Sequence, residues 1–272
     1  MSVLPLIRGK LMSAEELIKA GDLEGALNEL QQRVRTQPAD PGNRIFLFQL
    51  MAILGQWKRA LTQLQVVHDL DNSVWPLVHA YREAINCELH REAVFQGKSK
   101  PLVLGEPQEW MALLIQAQQA YACAAMGSFL DLNAQAFEQA PVSTGRINDE
   151  PFEWVADADQ RFGPVLELIF NGHYYWTPLE AIKSVRSEAP TDLRDLVWLP
   201  AEVTWVNGGQ NMVMLPARYP LLSGVGNDFL LSRRTDWLDK GSDVLEGIGQ
   251  RMLATDQSDY PLLQVRSIEL DS

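Results

Sequence analysis

The stretch Gly21-Asp-Leu-Glu-Gly-Ala-Leu-Asn-Glu-Leu30 returns in degenerate form 34 residues later, as Gly55-Gln-Trp-Lys-Arg-Ala-Leu-Thr-Gln-Leu64. Both copies carry a glycine, a large apolar residue, an alanine and two leucines at equal offsets. The glycine permits a tight turn, the alanine lets two helices approach closely, and the leucines can bury against a neighbouring pair. The spacing therefore predicts consecutive helix pairs.

A 34-residue period with these positions is typical of a tetratricopeptide-like repeat. A degenerate third copy is predicted at Gly127-Ser-Phe129, after a long helix over Glu109 to Met126. Ser73 to Gln96 carries one apolar face and predicts a further helix, and Gly97 to Pro107 predicts a loop. We therefore predict a tetratricopeptide-like α-helical domain over residues 1–142.

The second half of the chain has strand-like runs and frequent turn residues after Pro141. Asn171-Gly172 is a strong signal for a two-residue hairpin, and Asn207-Gly-Gly209 indicates a second turn. The predicted hairpins are Val165 to Phe170 with His173 to Trp176, Ala201 to Val206 with Gln210 to Leu215, and Gly249 to Ala254 with Leu262 to Glu269. Residues 143–272 are therefore predicted to form an α+β domain with an antiparallel sheet.

Charge and hydropathy exclude several classes of partner. The formal net charge is −12, and no dense group of Lys and Arg offers the basic face that nucleic acid requires. Met1 to Lys10 lacks the pattern of a signal peptide. The most apolar long window, Trp110 to Gly127, contains three glutamines and does not suit a bilayer. We expect a cytoplasmic protein without membrane insertion.

Metal and cofactor motifs are absent from the sequence. His68, His79 and His90 recur every 11 residues. On a helix that spacing is ~16 Å, too far for one ion. No paired Cys-x-x-Cys, His-Glu-x-x-His or calcium loop occurs. No metal or cofactor is therefore predicted.

The acidic group Asp157, Asp159 and Glu167 is the strongest candidate for chemistry. Asp-x-Asp can hold magnesium or serve acid–base catalysis, which makes a metal-dependent or acid–base hydrolase an alternative function. Arg161 follows closely, and an Asp–Arg network at the entry to the sheet is the other interpretation. Ser223 lacks the setting of a nucleophile elbow. The glycines that follow it, Gly224 and Gly226, and the later pair Gly247 and Gly249 are predicted to serve turns or bulges.

Aromatic and charged residues gather around the predicted turns of the second half. Trp, Tyr and Arg dominate protein-binding sites, but they also serve as core residues whose polar atoms bond to backbone. A subset of them could also line a cleft between the two domains. The set is Tyr174, Tyr175, Trp176, Pro178, Asp195, Trp198, Arg218, Tyr219, Pro220, Thr235 and Trp237.

Many of these residues fall in an ordered series of short motifs over residues 10 to 270. The series is Arg91-Glu-Ala-Val-Phe95-Gln-Gly97, Leu104-Gly105-Glu106-Pro107 with Trp110, Asp157-Ala-Asp159-Gln-Arg161 with Glu167, Gly172-His-Tyr-Tyr-Trp176-Thr-Pro178, Leu193-Arg194-Asp195-Leu-Val-Trp198, Leu215-Pro-Ala-Arg218-Tyr219, Thr235-Asp-Trp237 and Gly247-Ile-Gly249-Gln-Arg251. Their order resembles the ImpE family, also called SciE or TagJ, an accessory component of bacterial type VI secretion systems. The resemblance assigns no catalytic residue and leaves the role of these residues open.

The resemblance implies a non-enzymatic adaptor that binds the small subunit of the contractile sheath and influences how an unfoldase recycles it. A helical-repeat groove can hold an amphipathic helix of such a partner. In the repeat register, Glu15, Lys19, Ile45 and Gln49 are predicted to point into that groove. Gly9 interrupts the first helix, and Ser13-x-x-Glu16 restarts it as a capping box. A chaperone that keeps sheath subunits soluble is a third hypothesis, with similar contacts.

Overall fold

The computed structural model describes residues 12–105 and 108–271. Gly9, the segment Met1 to Lys10 and Glu106-Pro107, on which some sequence predictions fall, lie outside the described residues. The first half of the described chain is helical, as predicted, except that two residues of the predicted loop, Leu102 and Val103, form a strand. Its helices are α1 (Ala14–Lys19), α2 (Leu23–Thr36), α3 (Pro41–Ile53), α4 (Trp57–Leu70), α5 (Trp75–Phe95), α6 (Glu109–Ala122) and α7 (Met126–Gln139).

The two repeat copies each form a helix pair, α1 with α2 and α3 with α4. Ser13 and Glu16 form the predicted capping box at the start of α1. Gly21 and Gly55 adopt φ angles of 82° and 65°, a left-handed turn that glycine enters without steric cost. The glycine positions of the repeat therefore mark the turns that it predicted.

The predicted register of the third copy is wrong by three residues. The turn between α6 and α7 is made by Ala124, which has φ 57°, and α7 begins at Met126. Gly127 consequently lies inside α7, and the predicted helix over Glu109 to Met126 ends at Ala122. The sequence does not indicate this turn, because alanine, like other L-residues, rarely adopts a left-handed conformation.

The second half is dominated by strands. The strands and the short helix α8 are β1 (Leu102–Val103), β2 (Gly145–Ile147), β3 (Glu150–Phe152), β4 (Val155–Asp157), β5 (Val165–Phe170), β6 (His173–Pro178), β7 (Ile182–Ser187), β8 (Trp198–Trp205), β9 (Gln210–Pro216), α8 (Asn227–Leu230), β10 (Thr235–Asp239), β11 (Leu245–Gly249), β12 (Met252–Thr255), β13 (Asp259–Pro261) and β14 (Ser267–Leu270). The main sheet has the order β1-β6-β5-β9-β8-β7-β14-β2-β3. Smaller sheets join β10 to β11, and β12 to β13 and β4. Only the contact of β1 with β6 is parallel in the described chain.

Two of the three predicted hairpins are confirmed. β5 pairs with β6 around Asn171-Gly172, and β8 pairs with β9 around Asn207-Gly-Gly209. The third pairing is wrong. β12 turns back at once to pair with β13, while β14 pairs with β7 and β2. Partners that are distant in sequence leave no local turn signal, which explains the error.

The helices cover one face of the main sheet. Along β5, Leu166 and Leu168 enter the core on the far face, whereas Val165 and Ile169 pack with the helices. This alternation follows the period of two along a strand. Trp198 of β8 lies between α4 and α5, with its ring 5.9 Å from that of Trp57.

The change from helices to strands falls between Gln139 and Gly145. One hydrophobic core nevertheless contains residues from both halves. None of the described helices has the length and apolarity needed to cross a membrane.

Candidate functional site

The acidic residues highlighted by the sequence lie where α5 meets the main sheet. They alternate there with arginines, nearly all inaccessible to solvent. We call this group the ionic junction, and its members are Arg91, Asp157, Asp159, Arg161, Glu167, Arg218, Glu246 and Arg251.

Glu167 forms the centre of the junction. It lies on β5 and faces the helices, and Arg91 of α5 donates to its two oxygens from Nε and Nη2 at 2.8 Å each. Arg251 and the hydroxyl of Tyr174 donate to the same carboxylate. Arg91 also donates to the carbonyl oxygen of Arg218 at 3.0 Å. The planar fork of an arginine suits this bidentate contact, which joins the helices directly to the sheet.

The residues of the Asp157-x-Asp159-x-Arg161 motif form two consecutive turns at the end of β4. The amide of Asp159 donates to Oδ1 of Asp157 at 2.8 Å, and the amide of Arg161 donates to Oδ1 of Asp159 at 2.9 Å. Short carboxylate side chains favour such contacts two residues on. Asp157 then accepts bonds from Tyr219 and Arg251. The motif therefore serves local folding and the junction together.

Asp159 and Arg161 extend the junction towards α6. They form an ion pair at 2.6 Å, and the amide of Gly247 donates to Asp159 at 2.8 Å. Arg161 also pairs with Glu246 at 3.1 Å, and Glu246 accepts a bond from Tyr121 of α6 at 2.6 Å. A second helix is thereby fixed to the strands.

Arg218 has a different role from the other arginines. It donates to the carbonyl oxygens of Ala52 and Ile53 at 2.9 and 2.8 Å, and to that of Leu230 at 2.6 Å. Ala52 and Ile53 end α3, where helix carbonyls lack intrahelical partners and carry partial negative charge. Arg218 thus caps α3 from the sheet half.

Aromatic residues surround the junction. Nε1 of Trp176 donates to the Tyr174 hydroxyl at 2.6 Å, and Nε1 of Trp198 donates to Glu88 of α5 at 3.1 Å. The guanidinium of Arg251 lies 4.5 Å from the centroid of Phe162. These rings exclude water and provide bonds for polar atoms, so they act as core residues.

Burial dominates the electrostatics of the junction. It raises the pKa of Asp157 to about 6, because the loss of solvation outweighs the attraction of Arg251. Burial also lowers the pKa of Arg251 to about 10 and that of Arg218 to about 10. The pKa of Tyr219 is raised by burial and by the neighbouring Asp157. Each ionised group is therefore held by its partners against a large desolvation cost.

This geometry lacks the open cleft that the hydrolase hypothesis requires. Asp157, Asp159 and Glu167 are 5%, 0% and 1% exposed, and each of their carboxylate oxygens accepts a hydrogen bond. Within residues 12–105 and 108–271, no group of His, Cys, Asp or Glu side chains is arranged to hold a metal ion. The arrangement suits a rigid connection between helices and sheet.

The other aromatic and charged residues highlighted by the sequence are not members of the ionic junction. Asp195 accepts bonds from the amides of Thr191 and Asp192, both at 2.9 Å, and so caps a short 3-10 helix over Leu193–Leu196. Tyr175 is half-buried on β6, and Pro178 is buried at its end.

Two further positions belong to β10. The hydroxyl of Thr235 donates to the carbonyl of Gln250 at 2.7 Å, and the ring of half-buried Trp237 lies 5.8 Å from that of Tyr219. The side chains of Thr235 and Trp237 therefore contact other residues of the fold.

The residues predicted to line the repeat groove differ in their exposure to solvent. Glu15 and Lys19 are exposed on α1, and Glu15 pairs with Arg33 of α2 at 3.1 Å. Ile45 is half-buried, and Gln49 is only 7% exposed. Lys19 is the member with most access for a partner.

Sequence reasoning gave no role to Arg91 and Arg251, which hold the junction together. Both stood among the family motifs, but their partner Glu167 is 76 and 84 residues away. An ion pair of such separation leaves no spacing pattern. His68 and His79, treated above as one helical series, lie on α4 and α5, and both rings contact Trp75.

Known proteins match this chain over most of its length. The family model described as ImpE protein matches residues 149–269. A protein of Pseudomonas aeruginosa PAO1 with the name type VI secretion system accessory component TagJ is 49% identical over 261 residues, which is 96% of this chain and 92% of that protein. The crystal structure of protein VPA1032 from Vibrio parahaemolyticus has a TM-score of 0.88 at 23% identity, over 95% of this chain and 97% of that one. The last similarity concerns the fold, and it agrees with a helical array followed by an α+β half.

Proposed function

The chain belongs to the ImpE family, and from that membership we propose that it is a non-catalytic accessory component of a bacterial type VI secretion system. It acts in the cytoplasm as an adaptor. It binds a helical segment of the small subunit of the contractile sheath, and it thereby influences sheath assembly or the recycling of the sheath by its unfoldase.

The closure of the ionic junction is the observation that carries this proposal. The residues best suited to catalysis or metal binding, Asp157, Asp159 and Glu167, all form ion pairs with buried arginines. Their role is to hold the helical array at a fixed angle to the sheet. A fixed array presents its remaining surface in one orientation, which lowers the entropic cost of binding a partner.

The helical array is the binding element in this proposal. Stacked helix pairs provide long grooves that accept an amphipathic helix. The repeat register proposes contacts at Glu15, Lys19, Ile45 and Gln49, of which Lys19 is the most suitable to probe because it is exposed and forms no ion pair in the described chain.

Co-purification tests the proposal. The tagged full-length chain, produced in cells together with the sheath small subunit, should retain that subunit through a high-stringency wash. A purified pair that shows no association would contradict the adaptor function. Association that persists unchanged in Lys19→Glu and in Gln49→Ala would remove the register-based contacts and leave the adaptor role intact.

A further inference from the structure

The segment that follows β9 passes the ends of two helices of the array before it reaches β10. We call residues 218–233, which include α8, the strap. The two helices are α1 and α3, the first helices of the two repeat copies. Each of them is followed by a repeat glycine, Gly21 or Gly55, and both of these turns contact the strap.

Two arginines of the strap bind equivalent positions of the repeat. Arg218 donates to the carbonyl oxygen of Ala52 at 2.9 Å, and Arg233 donates to that of Ile18 at 2.9 Å. Ile18 and Ala52 are one repeat period apart in the sequence. Carbonyl groups in the last turn of a helix carry partial negative charge, so each arginine stabilises the helix that it contacts. The strap therefore spans the distance from one repeat copy to the next.

The strap also contacts both repeat glycines. Nδ2 of Asn227 donates to the carbonyl oxygen of Gly21 at 2.7 Å. A Cβ atom at Gly55 would lie 2.6 Å from Cδ1 of Leu221, so glycine permits this close approach as well as the left-handed turn. Each repeat glycine thus marks a point where the strap meets the array.

The second half of the chain holds the strap in place. Arg218 donates to the carbonyl oxygen of Leu230 at 2.6 Å, which joins the start of the strap to its end. The hydroxyl of Ser232 donates to the carbonyl oxygen of Leu196 at 2.7 Å, and the carbonyl of Ser232 accepts a bond from Gln250 at 2.6 Å. The strap is therefore a fixed part of the second half.

The contacts of the strap with the two helix pairs differ in burial. Arg218 is 2% exposed at the α3–α4 pair, whereas the side chain of Arg233 is 39% exposed at the α1–α2 pair and Asn227 is also exposed. Within residues 12–105 and 108–271, the bonds of Arg233 and Asn227 are the only hydrogen bonds that join residues 13–36 to the second half. Water competes for these two bonds but not for those of Arg218.

We propose that the strap is a conformational clamp that sets the angle between the two helix pairs. While the bonds to Ile18 and Gly21 are made, the α1–α2 pair is held in its observed position. When they open, this pair moves as one unit, because Glu15 of α1 binds Arg33 of α2 at 3.1 Å, and the α3–α4 pair stays bound to Arg218. The second half thereby controls the shape of the array, whatever partner the protein binds.

Hydrogen exchange on the full chain tests the clamp. The clamp variant, Arg233→Met with Asn227→Ala, removes both accessible bonds and leaves Arg218 in place. The matched control is Arg186→Met with Gln210→Ala, which removes one exposed cation and one exposed amide from β7 and β9. Both variants lose the same charge and the same kinds of polar group.

Amides of residues 14–36 should exchange about tenfold faster in the clamp variant than in wild type, because two bonds that oppose opening are lost. The control should match wild type, and residues 157–167 should exchange equally slowly in all three proteins. Unchanged exchange in residues 14–36 overturns the clamp, and so does equal acceleration in the control or throughout the chain. Acceleration confined to α1 overturns the movement of the pair as one unit.

Distances between spin labels test the movement directly. One label pair, Gln32→Cys with Gln65→Cys, joins α2 to α4, and a second, Gln65→Cys with Lys183→Cys, joins α4 to β7. Exposed Cys123 is replaced by alanine, and buried Cys87 is kept. The clamp substitutions should broaden the distance distribution of the first label pair and leave the second unchanged. An unchanged first distribution, or broadening of both, overturns the proposal.

Discussion

Removal of Arg91 should weaken the whole fold, because its side chain joins α5 to the centre of the sheet. Arg91→Met keeps much of the aliphatic volume and deletes the two bonds to Glu167 and the bond to the carbonyl of Arg218. Glu167 is 1% exposed and retains Arg251 and Tyr174 as partners. Removing one member of a buried ion pair costs about 3–5 kcal/mol. We expect the free energy of unfolding to fall by that amount.

The matched control is an ion pair on the surface. Arg186 lies 3.5 Å from Glu269, and their side chains are 66% and 56% exposed. Exposed pairs contribute about 0–1 kcal/mol, so Arg186→Met should have an effect within that range. Both variants lose one positive charge, and the comparison therefore isolates burial.

Urea denaturation measures the difference, with tryptophan fluorescence and far-ultraviolet circular dichroism recorded on the same samples. The eight tryptophans report mainly tertiary packing, and circular dichroism reports the helices. The two signals should change together in wild type, because one core spans both halves. A cost for Arg91→Met no larger than that for Arg186→Met would refute the reasoning, as would separate unfolding of helices and strands in wild type.

Three further predictions concern other positions. Burial raises the pKa of Asp157 from 3.8 to about 6, so the folded state binds this proton more tightly than the unfolded chain. Wild type should therefore lose stability relative to Asp157→Asn as the pH rises through that interval, measured by urea denaturation at several pH values; a gain would show that Arg251 outweighs burial. Ala124→Gly should raise the free energy of unfolding by about 1 kcal/mol, because glycine relieves the left-handed conformation at φ 57°, and an unchanged or lower stability would contradict this. Gly247→Ala should cost about 1–3 kcal/mol, since its methyl group would lie 2.4 Å from the buried ring of Tyr219; an unchanged melting temperature would show that the ring can move.

Local chemistry in the sequence predicted the local parts of this fold. Asn171-Gly172 specifies a hairpin because both residues enter left-handed conformations, with φ 47° and 72°. Gly21 and Gly55 mark helix turns for the same reason. Ala124 makes an equivalent turn although it is not a glycine, and the sequence pattern consequently predicts the third copy at Gly127.

The junction could be predicted only in part. Asp157, Asp159 and Arg161 are close in sequence, and a local Asp–Arg network was one of the two interpretations of them. The bond between Arg91 and Glu167 depends on how α5 packs against the sheet, which no short-range pattern contains. The burial of Gln49 has the same origin, since every residue from Leu47 to Ile53 is buried and this depends on how α3 packs in the folded chain.

Hydrogen exchange on the full chain, with and without the purified sheath small subunit, tests the central claim that the helical array binds the partner while the junction only supports the fold. The subunit should slow exchange in the helices α1 to α4, and it should leave residues 157–167 unchanged because they are already protected. Slowed exchange confined to the sheet half, or none anywhere at saturating subunit, would contradict it.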